Sequence, residues 1–122
     1  MVSSVQYMNT AAISSLETDL RAMQLLADQP TLNQRELAAQ LGVSLGKVNY
    51  CLRALLAKGF LKAQNFKNSK NKLAYAYVLT PAGISARAEL TAEFLQVKVA
   101  EYERLHDQIN ELRQSMVRQE PA

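Results

Sequence analysis

The sequence predicts a mainly α chain carrying one small β-hairpin, with two short helices and a tight turn at its centre and a long helix at its end. Three observations predict it. Residues 32–61 hold two amphipathic helical stretches parted by Gly42, and residues 60–79 switch from helical spacing to alternation. From Pro81 to Arg118 no proline or glycine follows Gly83, and apolar residues recur there every seven positions.

The first short helix starts at Asn33, whose side-chain oxygen can accept from an orphan amide of the first turn. Glu36, three residues on, can reach back to complete a capping box. Leu37, Ala38 and Leu41 share one face, whereas Gln34, Arg35, Ala39 and Gln40 face away, so one stripe is expected to be buried. Gly42 ends the helix, because glycine takes the left-handed backbone without a Cβ penalty. Val43 plugs the turn. Ser44 then caps a second helix with Val48, Cys51, Leu52 and Leu55 as its inner face and a stop at Gly59. Its outer face presents Lys47, Asn49, Tyr50 and Arg53 beside the small residues Ser44 and Gly46. Lysine, asparagine and arginine donate to base edges and phosphates in a major groove, and small residues let a helix end approach another surface closely.

Upstream, residues 1–13 show no clear period and read as a mobile arm. Ser14 with Glu17 offers another capping box, after which Leu16, Leu20, Met23 and Ala27 recur at helical spacing, with Pro30 as a stop. Downstream, Phe60–Phe66 and Leu73–Leu79 form two candidate strands, the second with Tyr75 and Tyr77 on one face and Ala74, Ala76 and Val78 on the other. Lys67, Asn68, Ser69, Lys70, Asn71 and Lys72 form the tip between them. Asparagine tolerates turn backbones and lysine seeks phosphate. A helical hairpin followed by a two-stranded ribbon with a basic tip is a winged helix-turn-helix, in which the second helix enters the major groove and the wing touches the DNA backbone or minor groove. This unit is expected over residues 14–80.

Thr80 caps the last element and Pro81 fits its first position. One helix is expected over residues 81–118, with residues 119–122 as a tail. Leu95, Tyr102, Ile109 and Met116 repeat at seven, and Leu105 and Leu112 fill the intervening positions, with Lys98 as the exception. The pattern predicts a self-pairing seam and hence a homodimer; packing of the same residues back on the first helix is the rival.

Composition narrows the function. With 122 residues and 48% hydrophobic side chains, the chain makes one domain with a modest core. No apolar run approaches the 18 or so residues of a membrane span, and the first ten residues lack the basic start and apolar core of a signal peptide, so a cytoplasmic protein is expected. One cysteine and one histidine exclude an internal disulfide and an ordinary zinc site, and no cofactor is expected. Catalysis has little to build on: there is no histidine near a plausible nucleophile, no paired-carboxylate loop and no glycine-rich phosphate cradle. The net charge of +3 conceals a segregation. Residues 31–80 carry Arg35, Lys47, Arg53, Lys58, Lys62, Lys67, Lys70 and Lys72 against Glu36 alone, a net of +7, while each flanking segment has a net of −2. A field of one sign confined to the helical hairpin and ribbon suits a polyanion such as double-stranded DNA. A protein-interaction module on the same scaffold would not need that concentration, and an RNA-binding role is the third class. Cys51, on an inward face, reads as a packed thiol, and His106 as an exposed helical residue.

The run LGVSLGKVNYCLRALLAKGFLKAQNFKNSKNKLAYAYVLTPAG resembles the DNA-binding core of the MarR family, most closely the exopolysaccharide (EPS)-associated MarR-type transcriptional regulators. The resemblance covers residues 32–83 and continues along the terminal helix. Its LTPAG close is common to many winged-helix regulators, whereas GKVNYCLRAL combined with NFKNSKNKLAYAY is more specific. It implies a dimeric transcriptional regulator acting beside polysaccharide biosynthesis genes, with DNA contacts from Ser44 to Arg53 and from Lys67 to Lys72. Two departures stand out. The wing lacks the Asp-x-Arg pattern that braces it in well-known MarR proteins, leaving Asn65, Asn68 and Asn71 for that role. Only one helix is evident ahead of the helix-turn-helix, so the resemblance assigns no effector.

Overall fold

The computed structural model describes residues 10–67, 70 and 72–119. Its elements run α1 (Thr10–Asp28), α2 (Gln34–Leu41), α3 (Leu45–Ala57), β1 (Leu61–Lys67), β2 (Leu73–Leu79) and α4 (Pro81–Gln119). This is the winged helix-turn-helix with a long terminal helix that the patterning predicts.

Local chemistry fixes the centre as expected. Asn33 Oδ1 accepts from the Glu36 amide at 2.8 Å while the Glu36 carboxylate accepts from the Asn33 amide at 3.2 Å, so the capping box is complete. Gly42 takes the left-handed backbone at φ 69°, and its amide donates to the carbonyls of Ala38 and Ala39, closing α2. Ser44 Oγ accepts from the Lys47 amide and starts α3. Leu37, Ala38 and Leu41 meet Val48, Cys51, Leu52 and Leu55 in one core, which Ala22, Met23 and Leu26 of α1 close from the other side.

The first helix begins earlier than the Ser14 capping box predicts. Residues 10–13 are helical, and the Ser14 carbonyl accepts from Thr18 Oγ1 at 2.9 Å, as an interior residue does. Residues 10–13 of the expected arm therefore belong to α1, and residues 1–9 lie outside the described residues. Ala27 is also exposed rather than buried; Leu26 takes the inward position, because the helix presents Leu16, Leu20, Met23 and Leu26 at its 3.6-residue period.

The ribbon is antiparallel, with Leu61 opposite Leu79 and Lys67 opposite Leu73. Its first strand sits one residue later than the alternation predicts. Ala76 is buried, and Tyr77 and Leu79 pack against the core, so the root of the wing belongs to the domain while Tyr75 stays exposed. The Tyr77 amide donates to the Pro30 carbonyl at 3.1 Å, stitching β2 to the connection ahead of α2.

The junction of wing and α4 explains the LTPAG segment. Thr80 Oγ1 accepts from the Gly83 amide at 3.0 Å as an N-cap, and the Thr80 amide donates to the Phe60 carbonyl at 3.1 Å. These bonds press the first turn of α4 onto the start of β1. A Cβ at Gly83 would stand 2.0 Å from the Phe60 carbonyl oxygen, so the backbone has to move to admit one. Gly83→Ala is expected to cost about 1–3 kcal/mol as an overpacking substitution. Gly46, with open space at its Cβ position, is the control, and alanine there should gain roughly 0.5–1 kcal/mol of helix stability. Urea unfolding of both variants checks the pair; a Gly83→Ala midpoint at the wild-type value would show that α4 can shift freely.

The last helix is unbroken over 39 residues and, at 1.5 Å per residue, spans about 58 Å. Gly83, Ala86 and Val97 are its buried residues, and Leu90 packs against the core. Every residue from Tyr102 to Gln119 is exposed.

Candidate nucleic-acid interface

The outer side of α3 is built by its cap and its inner face together. Ser44 sets where the helix starts, and burial of Val48, Cys51, Leu52 and Leu55 sets its rotation, which leaves Lys47, Tyr50 and Arg53 exposed. Tyr50 is 75% exposed, an unusual degree for an aromatic side chain. The Lys47 ammonium leans back to within 3.4 Å of Ser14 Oγ on α1. An exposed four-carbon stem lets it swing outward at little cost.

Asn49 differs from the sequence reading. It is half-buried, and its Nδ2 donates to Gln34 Oε1 on α2 at 3.3 Å. Gln34, expected to point to solvent, is itself half-buried and donates from Nε2 to the Tyr77 hydroxyl of β2 at 3.3 Å. A chain of side-chain hydrogen bonds thus joins α3, α2 and the wing. Outward placement of Gln34 at the start of a short helix gives no sign of this in the sequence.

The same bonds bear on what braces the wing. Asn65 is exposed in β1, opposite Tyr75, and Asn68 and Asn71 lie outside the described residues, as does Ser69. The bracing seen among the described residues comes from Tyr77, through its hydroxyl to Gln34 and its amide to Pro30. Lys67, Lys70 and Lys72 are all exposed at the tip end of the ribbon. So are Arg35, Lys47, Arg53, Lys58 and Lys62, which puts all eight cations of the middle segment on the surface. Arg21 adds support from behind, donating to the Leu41 carbonyl at 3.2 Å and so capping the end of α2.

Cys51 lies beneath the outer face of α3. Its thiol donates to Asp19 Oδ1 at 3.0 Å, and burial, reinforced by that bond and by the Asp19 charge, pushes it up to about 12 from 9.0. At pH 8 the folded protein then holds about a thousandfold less thiolate than a free cysteine would. Reaction with a disulfide reagent at pH 8 should be negligible until denaturant is added; rapid reaction of the folded protein would show the thiol to be accessible. The pH dependence has a definite sign: the packing contribution is intact below pH 9.0 and is lost as pH rises toward about 12, where the unfolded chain ionises first.

Two concavities flank these elements. An open groove of about 720 Å³ runs between α2 and the wing, with Asn33, Gln34, Glu36, Phe66, Lys67 and Tyr75 among its walls. A smaller cleft of about 280 Å³ lies between α1, α3 and α4, over Leu16, Leu55 and Phe60. Among the described residues no group of three histidine, cysteine or acidic side chains could hold a metal ion, and no helix is long and apolar enough to cross a membrane.

The expected seam lies on α4. Leu95, Tyr102, Leu105, Ile109, Leu112 and Met116 are all exposed. They do not pack back on α1; the face of α4 that turns to the domain carries Ala86, Leu90 and Val97 instead. Leu95 and Val97 are two residues apart, which is about 200° around a helix. The apolar row therefore begins on the side opposite the core. Lys98, which interrupts it, lies 5.1 Å from the Phe94 ring centroid and 3.4 Å from the Glu101 carboxylate.

Comparison with known proteins agrees with this architecture. Among solved structures, a MarR family protein of Mycobacterium tuberculosis in complex with p-aminosalicylic acid matches with a TM-score of 0.59 at 21% identity, covering 89% of this chain and 84% of that one. A ZitR mutant of Lactococcus lactis matches with a TM-score of 0.56 at 20% identity over 82% of this chain; the chain spans 66% of its length, just under two thirds. The PcaV transcriptional regulator of Streptomyces coelicolor, in complex with its natural ligand, matches with a TM-score of 0.52 at 19% identity over 80% and 74% of the two chains. No curated protein sequence matches the chain. Identities at this level establish a shared fold, and the fold is that of these regulators. Residues 15–62, from α1 to the start of the wing, match the family described as winged helix-turn-helix DNA-binding.

Proposed function

We infer that the protein is a sequence-specific regulator of transcription that binds double-stranded DNA as a homodimer, with α3 in the major groove and the wing on the backbone. The observation that carries this reading is the surface of the middle segment: eight exposed cations against one carboxylate, set around a capped helix whose outer side offers Lys47, Tyr50 and Arg53, with the half-buried Asn49 beside them. Ser44 and Gly46 at the start of that helix leave room for a phosphate backbone to approach. The match of residues 15–62 to DNA-binding winged helices and the MarR-type fold of the structural neighbours support the same reading. Such a regulator works beside its DNA in the cytoplasm. The GKVNYCLRAL and NFKNSKNKLAYAY segments support exopolysaccharide biosynthesis genes as its targets.

A gel shift comparing duplex DNA with hairpin RNA, followed by footprinting on the protein's own upstream region, tests the proposal. A protected duplex site with weak RNA binding is expected. Equal affinity for both, with no footprint, would favour RNA binding or a protein-interaction role.

The wing gives a separate expectation. Lys67, Lys70 and Lys72 are exposed at the tip end of the ribbon, so they should contact phosphates and weaken binding to all sequences alike when removed. Each lost contact should lower the slope of log affinity against log salt by about 1. An unchanged slope in the triple alanine variant would place the wing away from the DNA.

A further inference from the structure

We propose that Gln34, on the helix before the recognition helix, is a specificity-determining residue: it holds the plane in which Asn49 presents its amide to a base and ties that plane to the wing. The proposal rests on the DNA-binding reading above and assigns it a residue that touches neither groove directly.

The argument is one of hydrogen-bond capacity. A primary amide has one carbonyl acceptor and two N–H donors. Gln34 uses both ends, accepting from Asn49 Nδ2 at 3.3 Å and donating to the Tyr77 hydroxyl at 3.3 Å. The two bonds run to different elements, so the plane of the Gln34 amide is held from both ends. Tyr77 is in turn held by its amide on the Pro30 carbonyl and by its ring against the core, so the far end of the chain is anchored.

That setting passes to Asn49. Turning its amide over would bring Oδ1 against Gln34 Oε1, two acceptors with no proton between them. Turning Gln34 over as well would place its acceptor at the Tyr77 hydroxyl, which would then donate, so the two amides turn only together and the plane of the Asn49 amide is held in either setting. With one bond spent on Gln34, the Asn49 amide keeps an acceptor lone pair and an N–H proton for a ligand, an acceptor beside a donor. Among base edges in the major groove, adenine offers the matching donor and acceptor at N6 and N7. Guanine offers two acceptors at its N7 and O6, and cytosine a lone amino donor. Adenine opposite Asn49 is the expected reading.

The test starts from duplexes selected by the wild-type protein, with each base pair then substituted in turn. The pair at which Asn49→Ala loses discrimination locates the base under Asn49. Gln34→Met keeps the length of the side chain and removes both hydrogen bonds. It is expected to lower the preference for adenine at that pair by about tenfold, within the range a bidentate contact supplies; the preference is a ratio, so a uniform loss from a loosened wing cancels in it. Tyr77→Phe, which removes a hydroxyl alone, should lower the same preference by a smaller factor, and it decides the matter should Gln34→Met fold poorly. In an Asn49→Ala background Gln34→Met should leave the base preference as it is, whereas a residue that acts apart from Asn49 would shift it there too. A selective wild type whose preference survives both Gln34→Met and Tyr77→Phe would overturn the role of Gln34 and leave the DNA-binding reading standing. A wild type that selects no sequence would overturn both.

Discussion

Ile109→Glu is expected to convert the protein to a monomer that keeps its winged helix and loses tight binding to a palindromic site. Ile109 lies near the middle of the bare apolar row of α4 and is 40% exposed in the single chain, the least of the six seam residues. Self-pairing would cover it, and a carboxylate there would be buried without a partner, at a cost of several kcal/mol. So short a contact has little association energy to spare. Loss of DNA binding follows from geometry, because one recognition helix covers a few base pairs and useful affinity needs two presented about 34 Å apart on one face of the duplex. Analytical ultracentrifugation reads the assembly, circular dichroism the fold, and a gel shift the binding. A variant that stays dimeric at micromolar concentration would show that the row on α4 is the wrong surface and direct attention to α1 and the residues ahead of it.

Alanine at Asn49 or Arg53 is expected to cost about 1–3 kcal/mol on the specific site and far less on random DNA. The two lie four residues apart on α3, about one turn, so they can address neighbouring base pairs. Their settings differ. Arg53 is exposed and free of the relay, so its loss should act on its own contact. Asn49 is half-buried and bonded to Gln34, so its removal also leaves that amide with an empty acceptor. Competition against random duplexes gives the ratio directly. Wild-type ratios in both variants would mean that this helix does not read the sequence.

These expectations draw on features legible to different degrees in the sequence. The helix starts at Asn33 and Ser44, the turn at Gly42 and the buried stripes of α2 and α3 follow from contacts between residues three or four apart, which short-range rules describe well. The start of α1 was harder to place for the same reason: Ser14 and Glu17 have the spacing of a cap, but helical backbone already reaches Thr10, and a serine inside a helix looks no different by spacing. The outward face of α4 was legible because its repeat sustains three heptads, although periodicity alone left open whether α1 or another chain would cover it.

The amino-acid sequence determined the elements, their order and the concentration of positive charge on the middle segment, since capping, periodicity and net charge are properties of neighbours along the chain. Tertiary packing decided the rest. It set Gln34 between Asn49 and Tyr77, which are 15 and 43 residues away in the chain. It pressed Gly83 against the Phe60 carbonyl, and it turned the side of α4 bearing Ala86, Leu90 and Val97 toward the core, so that the heptad row was left facing out. Each of these depends on how elements distant in sequence meet, and the partner of a half-buried amide or the neighbour of a missing Cβ exists only once they have met.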